Sequence, residues 1–316
     1  MLSKKRTIKQ LKGFIALLKE IFTQWLEHKA PRLAAALAYY MVFSLAPLLI
    51  IAIAIAGAVF GEDAAEGDIV TRISGFVGRD AASVIEKAIS NASQPDLSNI
   101  ASLISVGILL FGASGVFVQL QEALNTIWNV QPRPGRVVKQ FIRKRILSFA
   151  MVLGLGLFVI LSLLLGAAIS ALSQLELLPG FPFLWKFLSF AVSFGLVTLF
   201  FALVFKFLPD AKVAWSDVWI GALITSILFA IGRSLLGWYL GKTSFASTYG
   251  AAGSLTVLLA WVYYSAQILF LGAEFTEVYA RKFGSHITPT RHSVRVTTTP
   301  LDEAWNGEEM DNQNRQ

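Results

Sequence analysis

Cysteine is absent from this chain of 316 residues, and histidine occurs only three times, as His28, His286 and His292. Without cysteine, the chain can form neither a disulfide nor a thiolate nucleophile, and it offers no thiolate ligand for zinc. His28 is far in sequence from His286 and His292, and all three lie outside the apolar segments. The sequence therefore predicts no metal site, and we expect no cofactor.

Charged residues are also scarce, at 15% of the chain against 55% hydrophobic residues, and the mean hydropathy is +0.62. A soluble domain of this size rarely has such a composition. A helix needs roughly 20 apolar residues to cross a hydrocarbon layer of about 30 Å. Runs of this length lie at residues 33–59, 99–120, 146–172, 184–208, 218–240 and 251–275. The sequence therefore predicts an all-α polytopic membrane protein with six transmembrane helices.

The basic residues are distributed unevenly between the two sides of these spans. Of 27 lysines and arginines, 21 fall before the first span, after the sixth, or in the second and fourth connections, if Lys206 at the end of the fourth span is counted with the fourth connection. Since basic residues favour the cytoplasmic side, this distribution predicts that both termini are cytoplasmic. The same charge predicts attraction to anionic membrane lipids, and we expect no binding to nucleic acid.

The segment before the first span, residues 1–32, predicts an amphipathic helix. Its apolar residues recur at steps of three or four, at Ile8, Leu11, Ile15, Leu18, Phe22 and Trp25. Such a helix is expected to lie on the inner leaflet, and Pro31 is expected to end it. The first apolar run, 27 residues long, starts only after this basic segment, so we expect no cleaved signal peptide.

Three further segments complete the predicted organisation. The acidic connection at 61–98 predicts one or two amphipathic helices on the outer face. The six spans give a membrane domain over residues 33–284. The polar tail at 285–316 is rich in threonine and asparagine, which predicts a disordered cytoplasmic segment.

A single charge, Arg233, interrupts the apolar segment "SILFAIGRSLLGWYLGK". If the fifth span begins near Trp219, Arg233 lies about 21 Å along it, or about two-thirds of the way across the membrane. Helical side chains lean towards the helix N-terminus, so this guanidinium points towards the membrane centre. Small residues share its face, at Ala222, Ser226, Ala230, Gly237 and Gly241. We therefore expect Arg233 to face other helices.

No carboxylate lies at the depth of Arg233, which leaves two interpretations. The guanidinium either hydrogen-bonds backbone carbonyls in a structural role, or it binds an anion such as a lipid phosphate. The sixth span adds a polar line that shares one helix face, through Thr256, Tyr263, Gln267 and Glu274. This line indicates either ordinary interhelical hydrogen bonds or a polar path beside Arg233.

The first span adds Ser44 and Pro47, and Pro47 frees the carbonyl of Phe43 from its helical partner. The glycines of "FGASGVF", Gly112 and Gly115, favour close helix packing. The candidate substrate-binding residues are Arg233, Tyr263, Gln267, Glu274, Ser44 and Pro47.

Signals for an enzyme are weak in this sequence. The cytoplasmic carboxylates are isolated from one another, at Glu20, Glu27, Glu122, Asp210 and Asp217, and neither a P-loop nor a GxSxG motif occurs. A nuclease would need clustered carboxylates or a histidine pair. We therefore expect that the protein is not an enzyme.

Four segments resemble the bacterial YihY/BrkB family, formerly mislabelled ribonuclease BN. They are "RLAAALAYYMVFSLAPLL", "FGASGVFVQLQEALNTIWNV", "LPDAKVAWSDVWIGALITSILF" and "YGAAGSLTVLLAWVYYSAQILFLGAEFTEVYARKFG". The resemblance covers about residues 15–285. It implies a multi-pass protein of the bacterial inner membrane with six helices, linked to envelope functions and without agreed catalytic residues.

Two functional hypotheses follow. The first is a transporter or lipid-handling protein for an anionic substrate such as a phospholipid, with Arg233 contacting the substrate phosphate. The alternative is an envelope scaffold that transports nothing and docks protein partners at residues 61–98. Ribonuclease activity is disfavoured, while the substrate, the coupling ion and the oligomeric state stay open.

Overall fold

The computed structural model describes residues 2–60, 67, 71, 100–133, 137–174, 182–242 and 245–296. Seven long helices account for most of these residues. They are α1 (Leu2–Glu27), α2 (Ala30–Phe60), α3 (Ile100–Ile127), α4 (Val137–Gln174), α5 (Pro182–Phe207), α6 (Trp215–Lys242) and α7 (Phe245–Lys282). The predicted all-α class is confirmed.

Five helices contain straight segments that are long and apolar enough to cross a membrane, at Gly107–Ile127, Ile142–Ile169, Trp185–Phe207, Trp215–Gly237 and Leu255–Lys282. Helix α2 adds a bent pair of apolar segments, Ala30–Leu45 and Pro47–Ile55, which meet at 53° and make a sixth crossing if the pair forms one span. The bend falls at Pro47 because proline lacks an N–H and its ring crowds the carbonyl four residues earlier. The six-span prediction agrees with this count, although two of the spans lie further along the chain than expected.

Helix α7 is central, since it packs against α1, α2 and α6, while α2 also packs against α3 and α4. The main core includes Ala34, Leu124, Phe205 and Phe270, each with no exposed area. These four residues come from α2, α3, α5 and α7, so one apolar core joins most of the bundle.

Helices α6 and α7 approach each other through a reciprocal pair of glycines and threonines. A Cβ atom on Gly221 would lie 1.9 Å from Thr276 Oγ1, and one on Gly272 would lie 2.0 Å from Thr225 Oγ1. Each buried hydroxyl donates within its own helix, Thr225 to Gly221 O and Thr276 to Gly272 O, both at 2.7 Å. The two helices are therefore antiparallel, and only glycine permits this close approach.

One end of the bundle collects most of the polar contacts, and we call it the polar end. It comprises α1, the turns at 128–133 and 208–214, and the segment 283–296, together with the adjoining helix ends. Two small antiparallel sheets lie there, β1 (Val130–Pro132) with β4 (Ser293–Arg295) and β2 (Ala211–Lys212) with β3 (Thr288–Pro289).

These sheets correct the predicted tail. Residues 288–295 were expected to be disordered, yet they form β3 and β4 because loops elsewhere in the chain offer their backbone groups as partners. Residues 297–316 lie outside the described residues. So does the predicted outer segment 61–98, except for residues 67 and 71.

Helix α1 has the predicted amphipathic pattern, with Ile15, Leu18, Phe22 and Leu26 exposed on its apolar face. Its polar face contacts α7. The helix ends at Glu27 because Lys29 takes a left-handed conformation, with φ of 54°. Pro31, predicted to end this helix, instead lies in the first turn of α2, where a missing N–H costs little.

Candidate functional site

Arg233 lies well inside α6, about 27 Å along the helix axis from Trp215 and about 13 Å before Lys242. It falls within the membrane-crossing segment Trp215–Gly237. Its side chain is exposed. This position differs from the prediction that Arg233 faces neighbouring helices.

The burial of the small-residue face explains the difference. Ala222 and Ser226 are fully buried, Ala230 is half-buried, and Gly237 is exposed. The burial of this face therefore decreases along α6 with distance from the polar end. Arg233 lies on the exposed part of the face, so its side chain is accessible from outside the bundle although the adjacent Gly232 is buried against α7.

The polar line on α7 does not lie beside Arg233. Gly232 faces α7, since a Cβ atom there would lie 2.5 Å from Ile268 Cδ1 and 2.8 Å from Tyr264 Cε1. In an antiparallel pair, the residue after Gly232 and the residue before Tyr264 project to opposite sides. Arg233 and Tyr263 therefore lie on opposite sides of the α6–α7 pair.

Ser44 and Pro47 lie where α2 contacts α3. The buried Ser44 hydroxyl donates to Gly112 O at 2.7 Å, and a Cβ atom on Gly112 would lie 3.3 Å from Pro47 Cγ. These contacts support the packing interpretation of the glycines. Gln267 is half-buried, and its Oε1 has no hydrogen-bond partner among the described residues.

Glu274 lies at the polar end and has no exposed area. Its Oε1 is 2.7 Å from Nδ1 of His28, in the junction between α1 and α2. Burial by itself disfavours the protonated imidazole, but the hydrogen bond to Glu274 and its charge outweigh that effect. The pKa of His28 is therefore raised. This pairing could not be predicted from the sequence, because 246 positions separate the two residues.

A second group of charges joins α1 to α7. Arg281 Nη2 donates to Glu20 Oε1 at 2.8 Å, Arg281 Nε donates to Glu277 Oε1 at 3.1 Å, and Lys282 Nζ also bonds Glu20. The hydrogen bond from Lys282 is the main reason that the pKa of Glu20 is lowered. These bonds use the polar face of α1 and leave its apolar face outward.

Asp210 is the centre of a third buried group. Its Oδ2 accepts hydrogen bonds from Asn125 Nδ2 at 3.1 Å and Gln121 Nε2 at 3.3 Å, and Arg143 Nη1 lies 3.5 Å from its Oδ1. Ser293 Oγ donates to the backbone oxygen of Asp210 at 2.6 Å. Gln121 and Asn125 continue, at the same four-residue spacing, the face of α3 formed by the apolar Ala113 and Phe117, which is the sequence signal for this group.

Asp217, in the first turn of α6, holds the segment that follows α7. Its Oδ2 accepts from the backbone N of Ser285 at 3.0 Å and from Ser285 Oγ at 2.9 Å. A Cβ atom on Gly284 would lie 2.5 Å from the same oxygen.

Among the residues that the structure describes, no three His, Asp or Glu side chains could hold a metal ion. The polar end therefore joins elements through hydrogen bonds and ion pairs.

The helices and their contacts define a multi-pass all-α membrane protein whose buried charges gather at one end. The family model described as Virulence factor BrkB matches residues 21–297, and the chain belongs to this family. The resemblance inferred from the sequence is thereby confirmed.

Similar proteins are described as UPF0761 membrane proteins. One from Mannheimia succiniciproducens is 29% identical over 262 residues, covering 81% of this chain and 87% of the relative. One from Alteromonas mediterranea is 30% identical over 274 residues, covering 80% and 85%. No solved structure matches the chain significantly. The descriptions of these relatives name a membrane protein and state no substrate or reaction.

Proposed function

We propose that this protein is a transporter or lipid-handling protein of the bacterial inner membrane, for an anionic substrate such as a phospholipid. In this proposal Arg233 contacts the substrate phosphate, both termini are cytoplasmic, and the protein catalyses no reaction. The observation that carries the proposal is the exposure of Arg233 on a membrane-crossing helix.

The position of Arg233 is energetically costly, which argues for a use. A charge at the centre of a membrane helix costs about 2.5–3.5 kcal/mol on insertion scales, and Arg233, four residues before the end of its crossing segment at Gly237, bears part of that cost. Guanidinium is planar and bonds the two oxygens of a phosphate at once, so a lipid headgroup drawn to it would offset that cost. An outward-facing Arg233 fits a substrate that arrives from the lipid better than one that passes through an enclosed channel.

The broken helix α2 also fits such a function. Discontinuous membrane helices are common near the substrate sites of transporters, because the break frees backbone groups and permits movement. The 53° bend at Pro47 is a break of this kind. Binding roles for Ser44, Tyr263, Gln267 and Glu274 stay predictions, since these residues are not gathered around Arg233.

The distribution of basic residues supports the proposed orientation. Arg143, Lys144 and Lys212 belong to the polar end with α1. Because lysine and arginine favour the cytoplasmic side, the polar end is assigned to the cytoplasm.

The test is retention of phosphatidylglycerol by the purified full chain, measured by native mass spectrometry after extraction from anionic membranes. Arg233→Gln is expected to weaken binding about tenfold, because a hydrogen bond to a charged group contributes about 1.5–3 kcal/mol. Lys186→Gln is the matched control, since Lys186 is an exposed cation near the start of α5. Equal retention by the two variants would contradict the proposal.

The alternative of an envelope scaffold depends on residues 61–98, most of which lie outside the described residues. Photo-crosslinking from this segment in intact cells distinguishes the two functions. A scaffold must yield one specific protein partner, whereas lipid handling through Arg233 requires none.

A further inference from the structure

His28 joins three parts of the polar end. It lies between α1 and α2, its Nδ1 is 2.7 Å from Glu274 Oε1 on α7, and Asn129 in the turn after α3 is near enough to help raise the pKa of the imidazole. The backbone on either side is tightly constrained, because Lys29 and Asn129 both have positive φ values. A change in the protonation of His28 therefore affects contacts among α1, α2, α3 and α7 together.

Glu274 depends on this single contact. The side chain is fully buried, and its second oxygen, Oε2, has no hydrogen-bond partner among the described residues. A buried carboxylate is costly without a cation or several donors nearby. A proton shared between His28 and Glu274 satisfies both groups as an ion pair, and its loss leaves the carboxylate charge without compensation.

The surrounding charges favour retention of that proton. Glu27 from α1 and Glu277 from α7 both add negative charge near the pair. Arg281 is engaged by Glu277 and Glu20, which limits its effect on Glu274. The turn after α3 contributes the uncharged Asn129.

We propose that His28 and Glu274 form a proton-binding site, and that its proton holds the junction of α1 and α2 against α7. When the proton leaves, the junction separates from α7 and the polar end loosens. The site lies apart from Arg233, so this inference does not depend on the lipid-handling function.

The direction of the pH effect follows from the pKa of His28, which is raised above its ordinary value of 6.5. The folded state then binds the proton more tightly than the unfolded chain does. The resulting stabilisation is complete below pH 6.5 and is lost as the pH rises through the raised pKa. The junction is therefore held at acidic pH and released at alkaline pH.

Histidine-selective NMR of the full chain tests proton binding directly. The chain has only three histidines, and the exposed His286 and His292 serve as internal references. Glu274→Gln keeps the shape of the side chain and removes its charge. We expect it to lower the titration midpoint of His28 by about one pH unit, while the two references stay unchanged. An unchanged His28 midpoint in this variant would overturn the proposal.

A second measurement tests the movement. Because the chain has no cysteine, spin labels at Thr23→Cys on α1 and Lys212→Cys on β2 report one distance without background. The distance distribution is compared about two pH units below and above the ordinary histidine pKa. We expect it to broaden at the higher pH in the parent chain. Glu274→Gln and His28→Gln are both expected to show the same distribution at the two pH values.

Two results would contradict the movement. One is a parent distribution that does not change with pH, and the other is a parent-like response in both variants. A distance that follows sodium concentration at constant pH would assign the site to a metal cation and overturn the proton assignment. Because one variant changes Glu274 and the other changes His28, a folding defect in one variant does not decide the outcome.

Discussion

The two halves of α6 differ in their surroundings although they belong to one continuous helix. In the half near the polar end, Asp217, Gly221 and Thr225 are buried against α7 and the segment that follows it. In the other half, Ile231 and Arg233 are exposed. The first half holds its polar side chains in contacts within the protein, whereas the second half, although Gly232 still packs against α7, has its one charged side chain before Lys242 exposed. A polar residue in the first half therefore bonds within the protein, whereas Arg233 in the second half is accessible to molecules around the bundle.

The largest expected effect comes from placing a larger side chain at Gly221, where the buried half of α6 lies closest to α7. Gly221→Val places a branched side chain where even a Cβ atom would lie 1.9 Å from Thr276 Oγ1. We expect a loss of about 3 kcal/mol or more in the free energy of unfolding, because the two helices must separate. Thermal unfolding of the purified full chain measures it.

Gly237→Val is the matched control on the exposed half, since nothing lies within 4 Å of its added Cβ. We expect it to change stability by less than about 0.5 kcal/mol. Adding Thr276→Ala to Gly221→Ala is expected to recover part of the loss, because the clashing hydroxyl is removed. Similar losses for valine at both glycines would contradict the contrast between the halves.

An intermediate effect is expected from Asp217→Asn. The carboxylate accepts two hydrogen bonds from Ser285, and bonds to a charged group contribute about 1.5–3 kcal/mol each. We expect amide hydrogen exchange in residues 285–296 to rise by about tenfold or more. Ser234→Ala, which removes an exposed hydroxyl from the other half, provides the control. Unchanged exchange in the Asp217 variant would show that other contacts hold this segment.

The smallest effect on stability is expected at Arg233. Because the side chain is exposed, Arg233→Gln is expected to change the free energy of unfolding by less than about 0.5 kcal/mol. Thermal unfolding in the same detergent measures it. A large loss would indicate a structural arginine, which is the other interpretation drawn from the sequence.

The membrane fold could be predicted from the sequence because the thickness of the bilayer sets the length of apolar run that a membrane-crossing helix needs. The bend of α2 was also foreseeable, since Pro47 removes a hydrogen bond whatever its neighbours are. These features are local, so no knowledge of distant residues was needed.

The polar end could not be predicted in the same way. His28 and Glu274 are separated by 246 positions, and Asp210 meets Gln121 and Asn125 across 89 and 85 positions. The exposure of Arg233 was also missed, because a stripe of small residues does not show along how much of its length neighbouring helices cover it.

The two small sheets of the polar end have a consequence for the order of folding. Strands β3 and β4 pair with β2 and β1, and Ser293 supplies the hydroxyl bound by the backbone of Asp210. These residues leave the ribosome after all six crossings have been synthesised. The bundle must therefore insert with its end still open, and the C-terminal strands close it as a late step across long loops.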